Sequence, residues 1–415
     1  MHLVIVTSLD GLSRNSAAGL LAECSPGTPV ILHDLLDDGV VTRRIHTDGL
    51  LVERESTVLE HGCLSCTVRF DLAPTLLRLI GDGVTHAIVG LPPGTTAENA
   101  IDGLHTVAPE AFVVDSVALA VRAEDVEDQL WDHHTLFASG YTAVPEDSRT
   151  PGEFLIGEFL FADTVLTTAS DLMPSNAALS TRGLQLIREV APHAPILSLG
   201  PQPNTPDTSD TSDTSDTTDV KETTDSQRST AYDGVLGTHD YGAAQDRSLP
   251  GAVTLSPTAS QTEARAASWG APPASRQARP TPSATAPPAG PEFFRTLQHR
   301  IDRPLHPDRF RTALGAISEG CCFVRGSVWV AGLPDTRVAV HGVGPRIVLG
   351  NGGSWSSNAT HGGWCRGTQL ALTGDDLDDD DIIRLLDACA LTDDELLTVP
   401  IPSPITLHDT TEGAS

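Results

Sequence analysis

Cys63 and Cys66 stand in a C-x-x-C spacing within Glu60-His61-Gly62-Cys63-Leu64-Ser65-Cys66, and thiolates at that spacing suit Zn²⁺. Gly62 lets the backbone turn sharply, so both sulfurs can converge on one point. Val68, Leu72, Leu76, Leu77 and Ile80 recur at helical spacing and predict an amphipathic helix starting just past Cys66. A helix N-terminus lowers a thiol pKa and favours the thiolate. Zinc takes about four ligands, and the two cysteines supply half of them. Glu60 and His61 are the adjacent candidates for the rest, and His33 and His46 the more distant ones. A buried cysteine pair at a loop–helix junction, or a redox dithiol, uses the same residue types, and local spacing alone does not choose between these chemistries.

A second set of residues lies at the start of the chain. Leu3 to Thr7 is an all-apolar strand, and an Ala/Leu-rich helix is predicted from Ser16 to Glu23. Between a strand and a helix a phosphate-cradling loop reads G-x-x-x-x-G-K-[ST], with glycines for close backbone approach, lysine for the phosphates and a hydroxyl for Mg²⁺. Laid on that pattern, Ser8 and Ser13 replace the glycines, Arg14 the lysine and Asn15 the hydroxyl residue. Gly11, Ser13, Arg14 and Asn15 therefore define a degenerate nucleotide site, from which efficient hydrolysis is not expected. Pro92-Pro93-Gly94 follows the strand His86 to Leu91, where a nucleotide hydrolase needs an acidic residue for its metal. Of a guanine-reading Asn-Lys-x-Asp after the strand Asp163 to Thr167, Asp171 alone remains, and a lone Asp there also serves as a helix cap.

The elements that must carry these residues alternate. Strands are predicted at Leu3–Thr7, Val30–His33, Arg44–His46, Leu50–Glu53, His86–Leu91, Ala111–Asp115, Asp163–Thr167 and Ala194–Leu199. Helices are predicted after the cysteines and at Ala123–Gln129, Pro151–Phe161 and Thr181–Val190. That order implies an α/β domain with a mostly parallel sheet and helices on both faces over residues 1–200. From 201 to 289 the composition changes to Asp207, Asp210, Asp213, Asp216 and Asp219 spaced by Thr and Ser, and then to Pro, Ala and Ser. Such a stretch buries little apolar surface, so disorder is expected. Residues 290–400 read as a small α+β domain, followed by a tail over 401–415. The aspartates of 375–381 lack calcium-loop spacing and fit a solvated turn ahead of a helix at Ile382–Ala390. Cys321, Cys322, Cys365 and Cys389 make no metal signature and read as packed residues.

The 415 residues carry a formal net charge of −29, which argues against direct binding to nucleic acid or anionic membranes. No stretch approaches the roughly 20 apolar residues of a membrane span. No basic n-region of a signal peptide is visible, and seven cysteines, an odd number, fit a reducing compartment better than a disulfide framework. A cytoplasmic location is the expectation.

Taken in order, these motifs resemble the CobW-type GTPase and zinc metallochaperone family. Gly62-Cys63-Leu64-Ser65-Cys66-Thr67-Val68-Arg69-Phe70-Asp71-Leu72 is similar to the family's Gly-Cys-x-Cys-Cys and Thr-Val-Arg-x-Asp-Leu run, with Ser65 in place of the middle cysteine. His306-Pro307-Asp308-Arg309-Phe310, Val324-Arg325-Gly326-Ser327-Val328-Trp329 and Leu386-Asp387-Ala388-Cys389 resemble its C-terminal domain. The altered first loop, the run Gly-Cys-x-Ser-Cys-Thr, and Phe161-Ala162-Asp163-Thr164-Val165-Leu166-Thr167-Thr168 are similar to an actinobacterial branch of that family. The resemblance implies a P-loop-NTPase-like domain, Zn²⁺ as cofactor at Cys63 and Cys66, and GTP as a second candidate. As partners it implies a ribosome hibernation factor and, through protein contact, the ribosome. It leaves two functions open: zinc-responsive recruitment without efficient hydrolysis, and GTP-dependent zinc delivery.

Overall fold

In the computed structural model the described residues are 1–58, 67–169, 175–199, 239–249, 251–252, 293–355 and 366–398. The chain divides into two compact units, the first built from the N-terminal part and the second mainly from residues after 295. Glu60, His61, Cys63, Cys66 and Asp171, with most of the predicted linker, lie outside the described residues.

Among the described residues, eight strands of the first unit form one sheet in the order β4-β3-β2-β5-β1-β6-β7-β8. They are β1 (His2–Thr7), β2 (Val30–Leu35), β3 (Val40–Thr47), β4 (Leu50–Val58), β5 (His86–Gly90), β6 (Val113–Val121), β7 (Thr164–Thr168) and β8 (Ile196–Leu199). β1 pairs in parallel with β5 and β6, and β7 and β8 continue in parallel; β3 and β4 turn back antiparallel at one edge. Strands joined by helical crossovers are covered on both faces, which accounts for the unbroken apolar runs LVIV and AIV in β1 and β5. Val4, Val6, Val30, Leu32, Ile88, Ala118, Ala120 and Leu166 bury one face against Ala17, Ala18 and Leu21 of α1 (Gly11–Glu23). The other helices are α2 (Ala73–Gly81), α3 (Ala97–Val107), α4 (Val126–Trp131), α5 (Pro151–Phe161) and α6 (Ala177–Val190).

Three expectations change. Helix α1 starts at Gly11, five residues before Ser16, because the Asp10 carboxylate accepts from the Ser13 N–H at 2.7 Å and caps it. β6 runs on through Ser116-Val117-Ala118-Leu119-Ala120-Val121; alanines are weak strand formers, and pairing with β1 overrides that preference. Within the predicted linker, α7 (Tyr241–Ser248) is a helix whose Ala244 is fully buried. It is tied to the first unit by hydrogen bonds from Tyr241 to Asp102 and from Arg247 Nε to the Leu160 carbonyl, and by His239 and Tyr241 against Phe161. Composition pointed to disorder there because so few side chains make the attachment.

In the second unit five strands run β12-β11-β10-β13-β9: β9 (Arg295–Ile301), β10 (Cys321–Val328), β11 (Thr336–Val343), β12 (Arg346–Ser354) and β13 (Thr368–Gly374). Helices α8 (Pro307–Ile317), α9 (Asp379–Ala388) and the short α10 (Asp393–Thr398) accompany them. Phe310, Ile317, Val324, Val340, Leu372 and Leu386 share its core. The aspartate run behaves as a turn and a cap: Asp378 accepts from the Asp381 N–H, and the acidic first turn suits the helix dipole. Cys321 and Cys389 are buried, and burial pushes the Cys321 thiol up to about 11. Among the described residues no helix is long and apolar enough to cross a membrane.

Candidate metal centre

The register of the antiparallel edge sets the first group of side chains. His33 of β2 lies opposite Arg43 of β3, and Arg43 lies opposite Glu55 of β4, so the three share one face of the sheet. Asp71 comes down onto that row from the helix that follows the cysteines. This helix opens with a π-turn at Val68–Leu72, whose wider winding is often found at functional sites. The Asp71 carboxylate lies 2.7 Å from His33 Nε2, and Arg43 Nη1 donates to both of its oxygens at 2.7 Å. Arg43 also reaches Glu53 and Glu55, and Arg78 of α2 pairs with Glu53 at 2.7 Å.

Burial drives the Asp71 pKa up, yet hydrogen bonds from His33 and Arg43 hold it below the ordinary carboxylate range. An ionised carboxylate can only accept, so the proton between them sits on His33 Nε2. The imidazole is fully buried, and burial lowers its pKa beyond what Asp71 restores, leaving it neutral with the lone pair on Nδ1. That Nδ1 is buried and has no hydrogen-bond partner among the described residues. A buried lone pair without a donor costs free energy unless something fills it. A neutral imidazole held through its second nitrogen by a carboxylate is the form in which histidine binds zinc. His33 therefore fits a metal ligand, and Cys66 is bonded to Thr67, the residue leading into the π-turn that carries Asp71.

The alternate residues of the same strands face α1 and build a second network. Arg14 is fully buried. It donates to the His33 carbonyl at 2.5 Å, the Leu91 carbonyl at 3.0 Å, Asp34 Oδ1 at 2.6 Å and Asn15 Oδ1 at 2.9 Å. Arg44 holds the other Asp34 oxygen at 2.7 Å. Burial alone would raise the Asp34 pKa, but the two arginines hold it low. A Cβ at Gly90 would lie 2.6 Å from Leu32 and 3.1 Å from Arg14 Cδ, so only glycine leaves the Arg14 side chain this path over the sheet.

The degenerate nucleotide residues are thus found in these places. Gly11 is the first residue of α1, Ser13 gives its N–H to the Asp10 cap, Asn15 accepts from Arg14, and Arg14 points inward. The Gly94 N–H meets the Ser8 carbonyl at 3.3 Å. Only residues 8–10 separate β1 from α1, and the Arg14 guanidinium is committed to protein acceptors, so these residues do not fit a nucleoside triphosphate. The structure brings His33 together with Asp71 and Arg43. His46 lies on β3 opposite Val30, three residues along β2 from His33, and its Nε2 is also buried without a partner. Asp71 and Arg43 were not among the sequence candidates as site residues; a charged residue on the apolar side of a predicted helix was the available signal for Asp71. A cavity of about 1040 Å³ opens beside β2, lined by Asp34, Arg44, Arg54, Phe137 and Tyr141 among others.

Residues 294–390 match the family model "Cobalamin synthesis protein cobW C-terminal domain". That match falls largely within the second unit. Over 341 residues the chain is 23% identical to "Zinc chaperone Rv0106" of Mycobacterium tuberculosis (strain ATCC 25618 / H37Rv), covering 79% of this chain and 68% of the relative. "Uncharacterized protein Mb0109" of Mycobacterium bovis aligns at the same identity and coverage. The domain match and these relatives support the CobW-type family. The crystal structure of the Zn(II)-bound YjiA GTPase from E. coli aligns over 94% of this chain and 99% of that one, at 10% identity and a TM-score of 0.30.

Proposed function

We propose that this is a CobW-type zinc-handling protein. Cys63, Cys66 and His33 hold Zn²⁺, with Glu60 or His61 as the further ligand, and the loaded state governs recruitment of a ribosome hibernation factor when zinc is scarce. The observation that carries the metal reading is the buried lone pair of His33 Nδ1, set by Asp71 on the opposite ring nitrogen. The name of the mycobacterial relative, a zinc chaperone, agrees with it. Bound zinc would supply a thiolate-rich closed site; the chain supplies the fixed tautomer and the buffering charge of Asp71 and Arg43. The recruiting role follows from the resemblance to the actinobacterial branch typified by Mrf. The acidic balance of −29 suits a basic partner rather than RNA itself.

A second reading, GTP-driven zinc delivery, keeps the same metal site and differs in the first loop. Arg14 counts against it: the side chain in the lysine position is held by four protein acceptors. Elemental analysis of reduced wild-type protein beside Cys63→Ser/Cys66→Ser tests the metal. Stoichiometric zinc lost in the variant is expected; equal metal content in both overturns the site. Ribosome pull-down with and without chelator tests recruitment, and GTP turnover at an ordinary enzymatic rate would favour the second reading.

A further inference from the structure

Away from that centre, Asp132, His133 and His134 bring one donor atom each to within 4.8 Å of one another. They follow directly on α4, where Asp132 leaves the helix with extended backbone. Asp132 Oδ1 accepts from the His134 N–H at 2.9 Å and lies 2.8 Å from His134 Nδ1, while Oδ2 accepts from Ser139 Oγ at 2.6 Å. These bonds fold the chain back, so that the two imidazoles lie with centroids 4.1 Å apart and planes tilted by 33°. Burial would raise the Asp132 pKa, but its hydrogen bonds from Ser139 and His134 outweigh that and keep the carboxylate ionised.

We infer that Asp132, His133 and His134 form a second, surface site for a borderline divalent cation, Zn²⁺ being the fitting one. Two imidazoles and a carboxylate are a zinc donor set, with the fourth position left to water. Donors on a tetrahedral zinc sit roughly 3.3–3.6 Å apart; the 2.8 Å between Asp132 Oδ1 and His134 Nδ1 has to open slightly and the wider separations, all within 4.8 Å, have to close, both by side-chain rotation. The ion would bridge Asp132 and His134, whose Oδ1 and Nδ1 atoms already face one another at 2.8 Å. Ser139 holds the carboxylate from behind, the outer-sphere support that zinc sites use. His134 is 59% exposed at the side chain, so the ion exchanges readily with solvent, unlike one at the buried His33. The loop that carries these residues continues to Phe137 and Tyr141, which line the cavity whose other wall includes Asp34, the neighbour of His33. The site is independent of Cys63, Cys66 and His33 and stands whether or not the proposed function does.

The test is titration of the full chain with Zn²⁺ alone, in the Cys63→Ser/Cys66→Ser background, followed by calorimetry and by the ring ¹H–¹³C signals of labelled histidine. One zinc per chain is expected, with shifts confined to two histidine signals. Adding His133→Ala/His134→Ala should weaken that step at least tenfold and remove those two signals without changing the circular dichroism spectrum. No binding step in the cysteine-free background, or an unchanged step after the histidine replacements, overturns the site. In wild-type cysteines, the His133→Ala/His134→Ala variant should keep its chelator-resistant zinc. Loss of that zinc would show that the two sites are one and would also overturn the inference.

Discussion

His33 and Asp71 give the most direct residue-level expectations. Asp71→Asn removes the charge that fixes the His33 tautomer, and loss of such an outer partner lowers zinc affinity about 10–100-fold. Competition against a chromogenic chelator measures it; unchanged affinity would separate His33 from the metal. Glu158 offers a second expectation. It is buried on α5, its carboxylate faces the Ala97 N–H at the start of α3, and burial pushes its pKa up to about 7. Between about 4.5 and 7 the folded state holds a proton that the unfolded chain releases. Stability must therefore fall as pH rises through that window and flatten above it. The difference amounts to about 3 kcal/mol. Glu158→Gln should flatten the fall and raise the midpoint of denaturant unfolding at pH 8; an identical pH profile in the variant would show that the carboxylate titrates normally.

At the scale of elements, α1 is held by its cap and by one side chain laid over the sheet face that it covers. Asp10→Ala should cost about 1 kcal/mol, the usual value of an N-cap. Arg14→Met removes the donor to Asp34 Oδ1 and to the carbonyls of His33 and Leu91, while Arg44 keeps Asp34 Oδ2. Leaving such buried acceptors unsatisfied costs about 1–3 kcal/mol. Urea unfolding at neutral pH reads both. A variant as stable as the wild type would mean that Arg14 is available for a ligand, and would reopen the nucleotide reading. The β2–β3–β4 edge shows how the two networks stay separate. Successive residues of a strand point to opposite faces, so His33 and Arg43 meet Asp71 on one side while Asp34 and Arg44 face α1 on the other.

At the scale of the molecule, α7 makes Tyr241–Ser248 of the predicted linker part of the first unit. A fragment ending at residue 200 exposes Phe161 and loses the hydrogen bonds of Tyr241 and Arg247, and should be about 2 kcal/mol less stable than one ending at 249. Thermal melts of the two fragments compare them, and equal midpoints would show that the helix adds nothing. The charge of −29 sets a further expectation: capture of a basic partner should weaken several-fold as salt rises from low to about 0.3 M, since screening shortens the reach of such attraction.

The sequence by itself determined the alternation of strands and helices, the apolar core strands, the helix after the cysteines and the loss of the phosphate-loop pattern. Each is a local matter, decided by side-chain periodicity and by residue types within a few positions. His33 was visible only as a distant ligand candidate, and Asp71 only as part of a family-like run. Tertiary structure decided what they do. The pairing of β2 with β3 sets His33 beside Arg43, and the π-turn carries Asp71 onto both, across 38 residues of sequence. The inward turn of Arg14 depends on carbonyls 19 and 77 residues away and on the missing Cβ of Gly90. Composition likewise predicted disorder where α7 forms, because burial against Phe161 and Leu160 is a long-range gain that local composition does not contain. Local chemistry names the groups; only the fold fixes which nitrogen is left with its lone pair and which cation is already taken.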